Sequence, residues 1–416
     1  MQYDMVFEGG GAKGTVFVGA LEELEARGHT PARLMGTSAG SIMSTLLAAG
    51  YSAREMSAAL SEKKDGRPVF MGFMEVPPKL TLEEVRNSDI RGLLRDVNLK
   101  FVPDLIEDQM DEAITEALAS SSIFGRFFYF VERGGFFSGD NFLNWLKEKL
   151  DTGIYPLDRG AFGKGKERRF GNMTLSEFFQ ATGIDLSLIA SDTSDSLMLI
   201  LNHRTAPDCP VAYAVRMSMS VPLLWNEVVW QSEWGTYNGK DITGHTIVDG
   251  GMLSNFPIEL FISGEPQVTA VMGEKTTSEE ILGFLIDETM AVPGEPGVQK
   301  TGGSFEISKL RTVARISNLL NTMLQARDKI VIETYERFVI RLPAKGYGTV
   351  EFGMSDERRD ALVRAGRQAC QTYFSRLAAQ PEPGISFGLP VETPTAPADR
   401  IAERILERSN LKHQFI

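Results

Sequence analysis

A serine set between glycines, Gly36-Thr37-Ser38-Ala39-Gly40, is the first group in this chain whose setting suits nucleophilic chemistry. Flanking glycines permit a cramped turn from strand into helix. Such a turn thrusts the hydroxyl outward and points a helix N-terminus at it, where partial positive charge favours a developing alkoxide. A second glycine cluster, Glu8-Gly9-Gly10-Gly11-Ala12-Lys13-Gly14, offers N–H groups unobstructed by side chains, with the Lys13 cation nearby, a surface suited to an oxyanion. The serine also needs a base, and two groups compete for that role. Asp249, in Ile247-Val248-Asp249-Gly250-Gly251, has its carboxylate freed by two glycines, although Asp-Gly is also the ordinary composition of a turn. Among the 4 histidines, His29, His203, His245 and His413, only His245 stands near Asp249 in sequence, and as base it would make a Ser-His-Asp arrangement.

The elements that must position these groups follow from the surrounding pattern. Tyr3 to Phe7 is a strand candidate that runs into the first glycine cluster. A helix follows through Val16, Val18, Ala20, Leu21 and Leu24, stopping near Arg27-Gly28 with Glu22, Glu23 and Glu25 toward water. Arg33-Leu34-Met35 ends a second apolar run before the serine turn, and Ser41 to Ala49 reads as a buried helix stopped by Gly50. Two strand, glycine-turn and helix units in succession predict a parallel sheet whose turns share one edge, which makes Ser38 a neighbour of the Gly10 and Gly11 amides. Thr246-Ile247-Val248 is a further strand, with Asp249 at its end.

Gly9-x-Gly11-x-x-Gly14 also matches a dinucleotide fingerprint as a string. That motif expects an acidic residue at the end of the second strand, and here the strand ends in Gly36-Thr37-Ser38, with Glu25 on a helix instead. Together the glycine cluster, Gly-x-Ser-x-Gly and Asp-Gly-Gly, in this order, resemble the patatin-like phospholipase family. Thr174 to Phe179, Leu186 to Asp192, Ala214 to Pro222 and Leu253-Ser254-Asn255-Phe256-Pro257 are similar to the same family's core, so the resemblance spans about residues 1–375.

The resemblance implies a three-layer α/β/α fold with a mostly parallel sheet. It also implies a serine lipid acyl hydrolase of the phospholipase A or lysophospholipase type, needing neither cofactor nor metal. Carried onto this chain, it makes Ser38 the nucleophile and Asp249 its base, with Gly10, Gly11 and Lys13 at the oxyanion hole. Gly9, Gly14, Gly36, Gly40, Gly250 and Gly251 are motif glycines. Glu8 departs from the aspartate usual in plant members. An ordinary aspartate, with a pKa near ~3.9, is a feeble base for an alcohol, so burial of Asp249 is expected to raise its pKa. The alternative is a catalytically silent lipid- or nucleotide-binding regulatory protein on the same fold, against which the intact Ser38 and Asp249 count.

Composition bounds the setting. The 416 residues are 43% hydrophobic and 24% charged, enough for a large core. A net charge of −12 argues against nucleic acid as a partner and against broad adsorption to anionic lipid. Cys209 and Cys370 alone imply no disulfide framework and suit a reducing compartment. No basic-plus-apolar leader opens the chain and no run of about twenty apolar residues occurs. The expectation is a cytoplasmic protein with peripheral membrane contact, or one exported without a signal peptide, acting on a phospholipid or other lipid ester. A homo-oligomer or an activating ligand or protein is a further expected partner.

Residues 1–378 read as the catalytic domain, with insertions at about 65–170 and 275–345. A Pro-rich linker at 379–398 and a C-terminal helix and tail at 399–416 follow. The aromatic run from Ile123 to Phe137 suits a buried core better than a lid or acyl channel, between helices expected at 104–120 and 140–150. Lys164 to Arg169 is a basic loop that is either solvated or faces a lipid phosphate. Ile281 to Ile286 reads as an apolar helix, and 306–335 as a long one. A strand at Arg337 to Leu342 and a helix from Ser355 to about Ala378 complete the domain. Ile401, Ile405 and Leu406 make one apolar face that suits docking on the core or on another subunit.

Overall fold

A computed structural model describes residues 1–74, 80–81, 83–84, 87–88, 122–274, 280–295, 335–379 and 395–409. The helices expected at 104–120 and 306–335, and most of the linker, lie outside the described residues. Among the described residues the centre is an eight-stranded sheet, whose strands are β1 (Gln2–Phe7), β2 (Thr30–Thr37), β3 (Leu186–Asp192), β4 (Leu197–Leu201), β5 (Val228–Val229), β6 (Thr246–Asp249), β7 (Glu280–Ala291) and β8 (Val339–Lys345). Strands β8, β7, β1, β2 and β3 pair side by side and run parallel, whereas β4 and β6 run antiparallel to β3, and β5 antiparallel to β6. Helices flank the sheet in three α/β/α layers, as the resemblance implies.

Register explains how distant residues meet. On one flank of β3, Leu34 to Thr37 of β2 pair with Leu186 to Ile189, while Ile247 to Asp249 of β6 pair with Asp192 to Ala190. The other flank of β3, over Leu188 to Asp192, is taken by β4. Strands β2 and β6 therefore share one flank and approach end to end. Thr37 sits beside Ile189 and Asp249 beside Ala190, so the residue after β2, Ser38, faces the last residue of β6. The plain expectation was two parallel strands emptying onto one edge; here the aspartate's strand comes from the opposite direction.

Among the described residues the helices are α1 (Val16–Ala26), α2 (Ala39–Ala48), α3 (Ala53–Leu60), α4 (Ser122–Glu132), α5 (Asp140–Asp151), α6 (Leu175–Thr182), α7 (Val211–Ser218), α8 (Glu259–Ile262), α9 (Pro266–Met272), α10 (Asp356–Ala379) and α11 (Thr395–Arg408). Helix α6 starts at a reciprocal cap in which Thr174 Oγ1 accepts from the Glu177 N–H and Glu177 accepts from the Thr174 N–H. Helix α11 docks on this chain's core, burying Ala402, Ile405 and Leu406, and its Asp399 accepts from Ser263 Oγ at 2.7 Å. Among the described residues no helix is long and apolar enough to cross a membrane.

Two expectations change and a third holds. Ile281 to Ile286 is part of strand β7, set between β1 and β8, rather than a helix. The run is apolar because both of its faces are buried, which erases the alternation that separates strand from helix. In the basic loop, Arg168 is buried and donates to the Ala49, Gly50 and Thr152 carbonyls and to Glu55, so it ties α2 and α3 together and faces no ligand. The Ile123 to Phe137 run forms α4 and the short strand Gly135–Phe137, and Phe128, Tyr129 and Phe137 are buried, as the core reading expects.

Candidate active site

Ser38 lies between β2 and α2 with φ 51° and ψ −118°, a left-handed conformation that costs a residue bearing a Cβ of order 1–3 kcal/mol. The local sequence permits it. A Cβ on Gly36 would stand 2.2 Å from the Gly40 carbonyl oxygen, and one on Gly40 would stand 2.1 Å from that of Phe7. Only glycines let β1, β2 and α2 close this tightly. The Ser38 N–H donates to Ser218 Oγ at 3.0 Å and its carbonyl accepts from Ser41 Oγ at 2.6 Å, which fixes the turn through the backbone. The side chain points past the N-terminus of α2 into a cleft.

Asp249 ends β6. Its N–H donates to the Ser220 carbonyl at 2.9 Å, and its Oδ1 accepts from the Gly251 N–H at 2.8 Å. Its Oδ2 is buried with no hydrogen-bond partner. The Ser38 side chain lies beside this carboxyl and pulls its pKa down. Burial pushes the Asp249 pKa from 3.8 to about 7, against the opposing pull of Ser38 and the Gly251 N–H. The carboxyl is thus converted from a feeble acceptor into one matched to neutral pH.

The glycine loop joins β1 to a 3-10 turn at Gly11–Thr15 and is clamped from several sides. Asn255 Nδ2 donates to Glu8 Oε1 at 3.0 Å and to the Gly9 carbonyl at 3.1 Å, and the Ala12 N–H donates to the Thr349 carbonyl at 2.9 Å. Glu8 also accepts from the Ile286 N–H. Gly11 has φ +56°, and a Cβ there would stand 2.2 Å from the Thr349 oxygen. The N–H groups of Gly10 and Gly11 make no hydrogen bond among the described residues, and both residues line the cleft beside Ser38. Lys13 departs from its expected place. Its ammonium is buried against Glu288 of β7, and its N–H donates to the Gly10 carbonyl at 3.3 Å, because a buried cation requires a counter-charge.

The histidines stand elsewhere. His245 Nδ1 is 2.8 Å from Asp192 Oδ2, about 13 Å of strand away from Asp249 at the usual rise. His203 stacks on Phe179 at 3.7 Å near Asp185, just before β3, and burial lowers its pKa to about 4. His29 lies edge-on to Tyr3 at the start of the sheet, and His413 is outside the described residues. Asp192, Asp195 and His245 bring ligand atoms within 4.8 Å of one another, a grouping that sequence spacing did not suggest. Asp192 Oδ1 accepts from the Ser194 and Asp195 N–H groups and Asp195 Oδ2 from Lys240.

The cleft in front of Ser38 and Asp249 holds about 1440 Å³, part of it open to solvent. Its aromatic wall comes from Phe70, Phe73, Phe142, Trp225 and Phe352, with Ile42, Met43 and Leu224 beside them. None of the described residues of the 123–137 run lines it. Sequence reasoning gave no role to Ser218, Glu8, Asn255 or Thr349. A signal for Glu8 and Asn255 existed, since both are strong hydrogen-bonding groups set in apolar runs.

The Patatin-like phospholipase family profile matches residues 5–70 and 98–262, more than half of the chain. The chain belongs to the patatin-like phospholipase family. A relative named uncharacterized protein YqhO, from Bacillus subtilis, is 27% identical over 383 residues, covering 90% of this chain and 99% of that protein. The protein named probable lipid hydrolase 463L, from Invertebrate iridescent virus 6, is 20% identical over 260 residues, 62% of each chain. The crystal structure of VipD from Legionella pneumophila aligns with 97% of this chain and 75% of its own, at 16% identity and a TM-score of 0.43.

Proposed function

We propose that this patatin-like protein is a serine lipid acyl hydrolase of the phospholipase A or lysophospholipase type, working with a Ser38–Asp249 dyad. The observation that carries the reading is the meeting of three things at one point. These are a strained serine at a helix N-terminus, a buried aspartate oxygen with no partner, and an apolar cleft in front of both.

An acyl chain lies along the apolar wall and brings its ester carbonyl to Ser38. Ser38 Oγ attacks the carbonyl carbon as its proton passes to Asp249. Negative charge that collects on the carbonyl oxygen is met by the Gly10 and Gly11 N–H groups and the N-terminus of α2, where one donor is worth about a hundredfold or more in rate. Collapse of the tetrahedral species breaks the ester C–O bond, and the leaving alcohol takes the proton from Asp249. Water then enters, gives its proton to Asp249 and attacks the acyl-serine. Release of the fatty acid returns the proton to Ser38 Oγ. Lys13 serves at one remove, by anchoring the glycine loop to β7 through Glu288. Contact with the lipid surface is peripheral.

The test compares fatty-acid release from phospholipid, lysophospholipid and short acyl esters by the wild type, Ser38→Ala and Asp249→Ala. Release should vanish in both variants with folding unchanged. Equal release by all three would sink the dyad. Tight lipid or nucleotide binding without any Ser38-dependent release would favour the silent regulatory reading.

A further inference from the structure

Residues 346–354 lie beyond the segments that the family profile matches, yet they form part of the cleft. They leave the end of β8, cross the glycine loop and enter α10. The Thr349 carbonyl accepts from the Ala12 N–H at 2.9 Å and fills the space that the missing Cβ of Gly11 leaves open. Val350, Phe352 and Met354 line the cleft, and Phe352 meets Trp225 edge to face at 5.6 Å. One buried guanidinium holds the segment in place. Arg358 donates through Nε to Glu351 Oε1 at 2.8 Å, through Nη1 to Glu295 Oε1 at 2.6 Å and through Nη2 to the Gly346 carbonyl at 2.9 Å. The same group lies over the Tyr347 ring at 4.1 Å. Glu351 in turn accepts from the Gly348 N–H at 3.0 Å. No step of the hydrolysis uses this charged cluster.

We propose that the 346–354 strap, latched by Arg358, is a working part of the acyl-ester site. Through Thr349 it sets the position of the Gly10 and Gly11 amides, and through Phe352 and Met354 it selects the length of the acyl chain. Arg358 is a positioning residue. The proposal rests on the hydrolase reading for its second half only, since the hold on the glycine loop is a mechanical statement about the fold.

The experiment has two arms. In the first, amide hydrogen exchange at Ala12 is compared in the wild type, Arg358→Met and Arg358→Lys. Loss of the latch should speed exchange at Ala12 at least about tenfold in Arg358→Met, with the interior of α1 unchanged and partial rescue in Arg358→Lys. Equal exchange in all three overturns the latch. In the second arm, para-nitrophenyl butyrate and laurate are hydrolysed by the same proteins and by Phe352→Ala. Arg358→Met should lose about a hundredfold in kcat on both esters with little change in KM, as a displaced oxyanion site requires. Phe352→Ala should change the laurate-to-butyrate ratio of kcat/KM at least about fivefold, the scale of about one buried methylene. An unchanged ratio overturns the selection of chain length even if Arg358→Met fails to fold. A wild type without Ser38-dependent release refutes the hydrolase reading and the selectivity half with it, while the exchange arm still decides the latch.

Discussion

Replacing Asp249 by asparagine should abolish catalysis and stabilise the protein, by an amount that grows with pH. The carboxyl is buried at the end of β6, its Oδ2 has no hydrogen-bond partner, and its pKa is raised from 3.8 to about 7. Below about pH 4 the group is protonated in both the folded and unfolded chains and exerts no pH-dependent effect. Between about pH 4 and 7 the unfolded chain loses this proton while the folded one keeps it, so folding stability falls by about 1.4 kcal/mol per unit. Above about pH 7 the whole loss, about 4 kcal/mol, is in force. Asparagine has the same shape and no charge to desolvate, so it escapes this loss. The assay is urea unfolding of the wild type and Asp249→Asn from about pH 4.5 to 8.5, where the difference should widen in favour of the variant by several kcal/mol. A difference that stays flat across that range would refute the claim that burial holds this carboxyl in reserve, and with it the account of how an aspartate acts as base.

The same carboxyl must be ionised to take the Ser38 proton, so kcat/KM should rise through about pH 7 and then level off, with a slope set by one group; a profile flat down to about pH 5 would count against Asp249 as base. Gly11→Ala puts a methyl 2.2 Å from the Thr349 oxygen at a positive φ and should cost about a hundredfold in kcat, whereas Lys13→Met, at a residue that does not line the cleft, should cost less than about tenfold. Comparable losses in both would restore Lys13 to the oxyanion hole. Arg168→Met removes a buried cation from the Ala49, Gly50 and Thr152 carbonyls and should lower stability by about 3 kcal/mol, read by denaturant titration, with activity per folded molecule retained.

Much of the site was legible because its chemistry depends on glycine. Gly36 and Gly40 around Ser38, and Gly9 to Gly11 ahead of them, mark places where chains pass too close for a Cβ, and such places show in sequence. Helix α1, strand β1 and the start of α10 were also readable, from an apolar stripe, a short apolar run and the Ser355-Asp356-Glu357 start. Strand β7 was misjudged because a strand buried on both faces has no alternation to betray it. Lys13 and Arg168 were misplaced for a related reason. A cation's sequence neighbours say nothing about which distant carboxylate or carbonyl claims it, and here Glu288 and the end of α2 do. The direction of β6 was equally hidden, since antiparallel entry depends on a long path that local pattern does not encode.

That direction has an architectural outcome. Ser38, through its neighbour Thr37, and Asp249 are gauged against adjacent positions, Ile189 and Ala190, on a single buried strand that lies between them in the chain. Strand β3 acts as a ruler that measures the working distance. Segments spliced into the chain between the two residues can lengthen, shorten or be exchanged without touching that measurement, provided β3 keeps its register. Such segments are where variants with new lids or docking surfaces can be grafted while the acyl-transfer geometry stays the same.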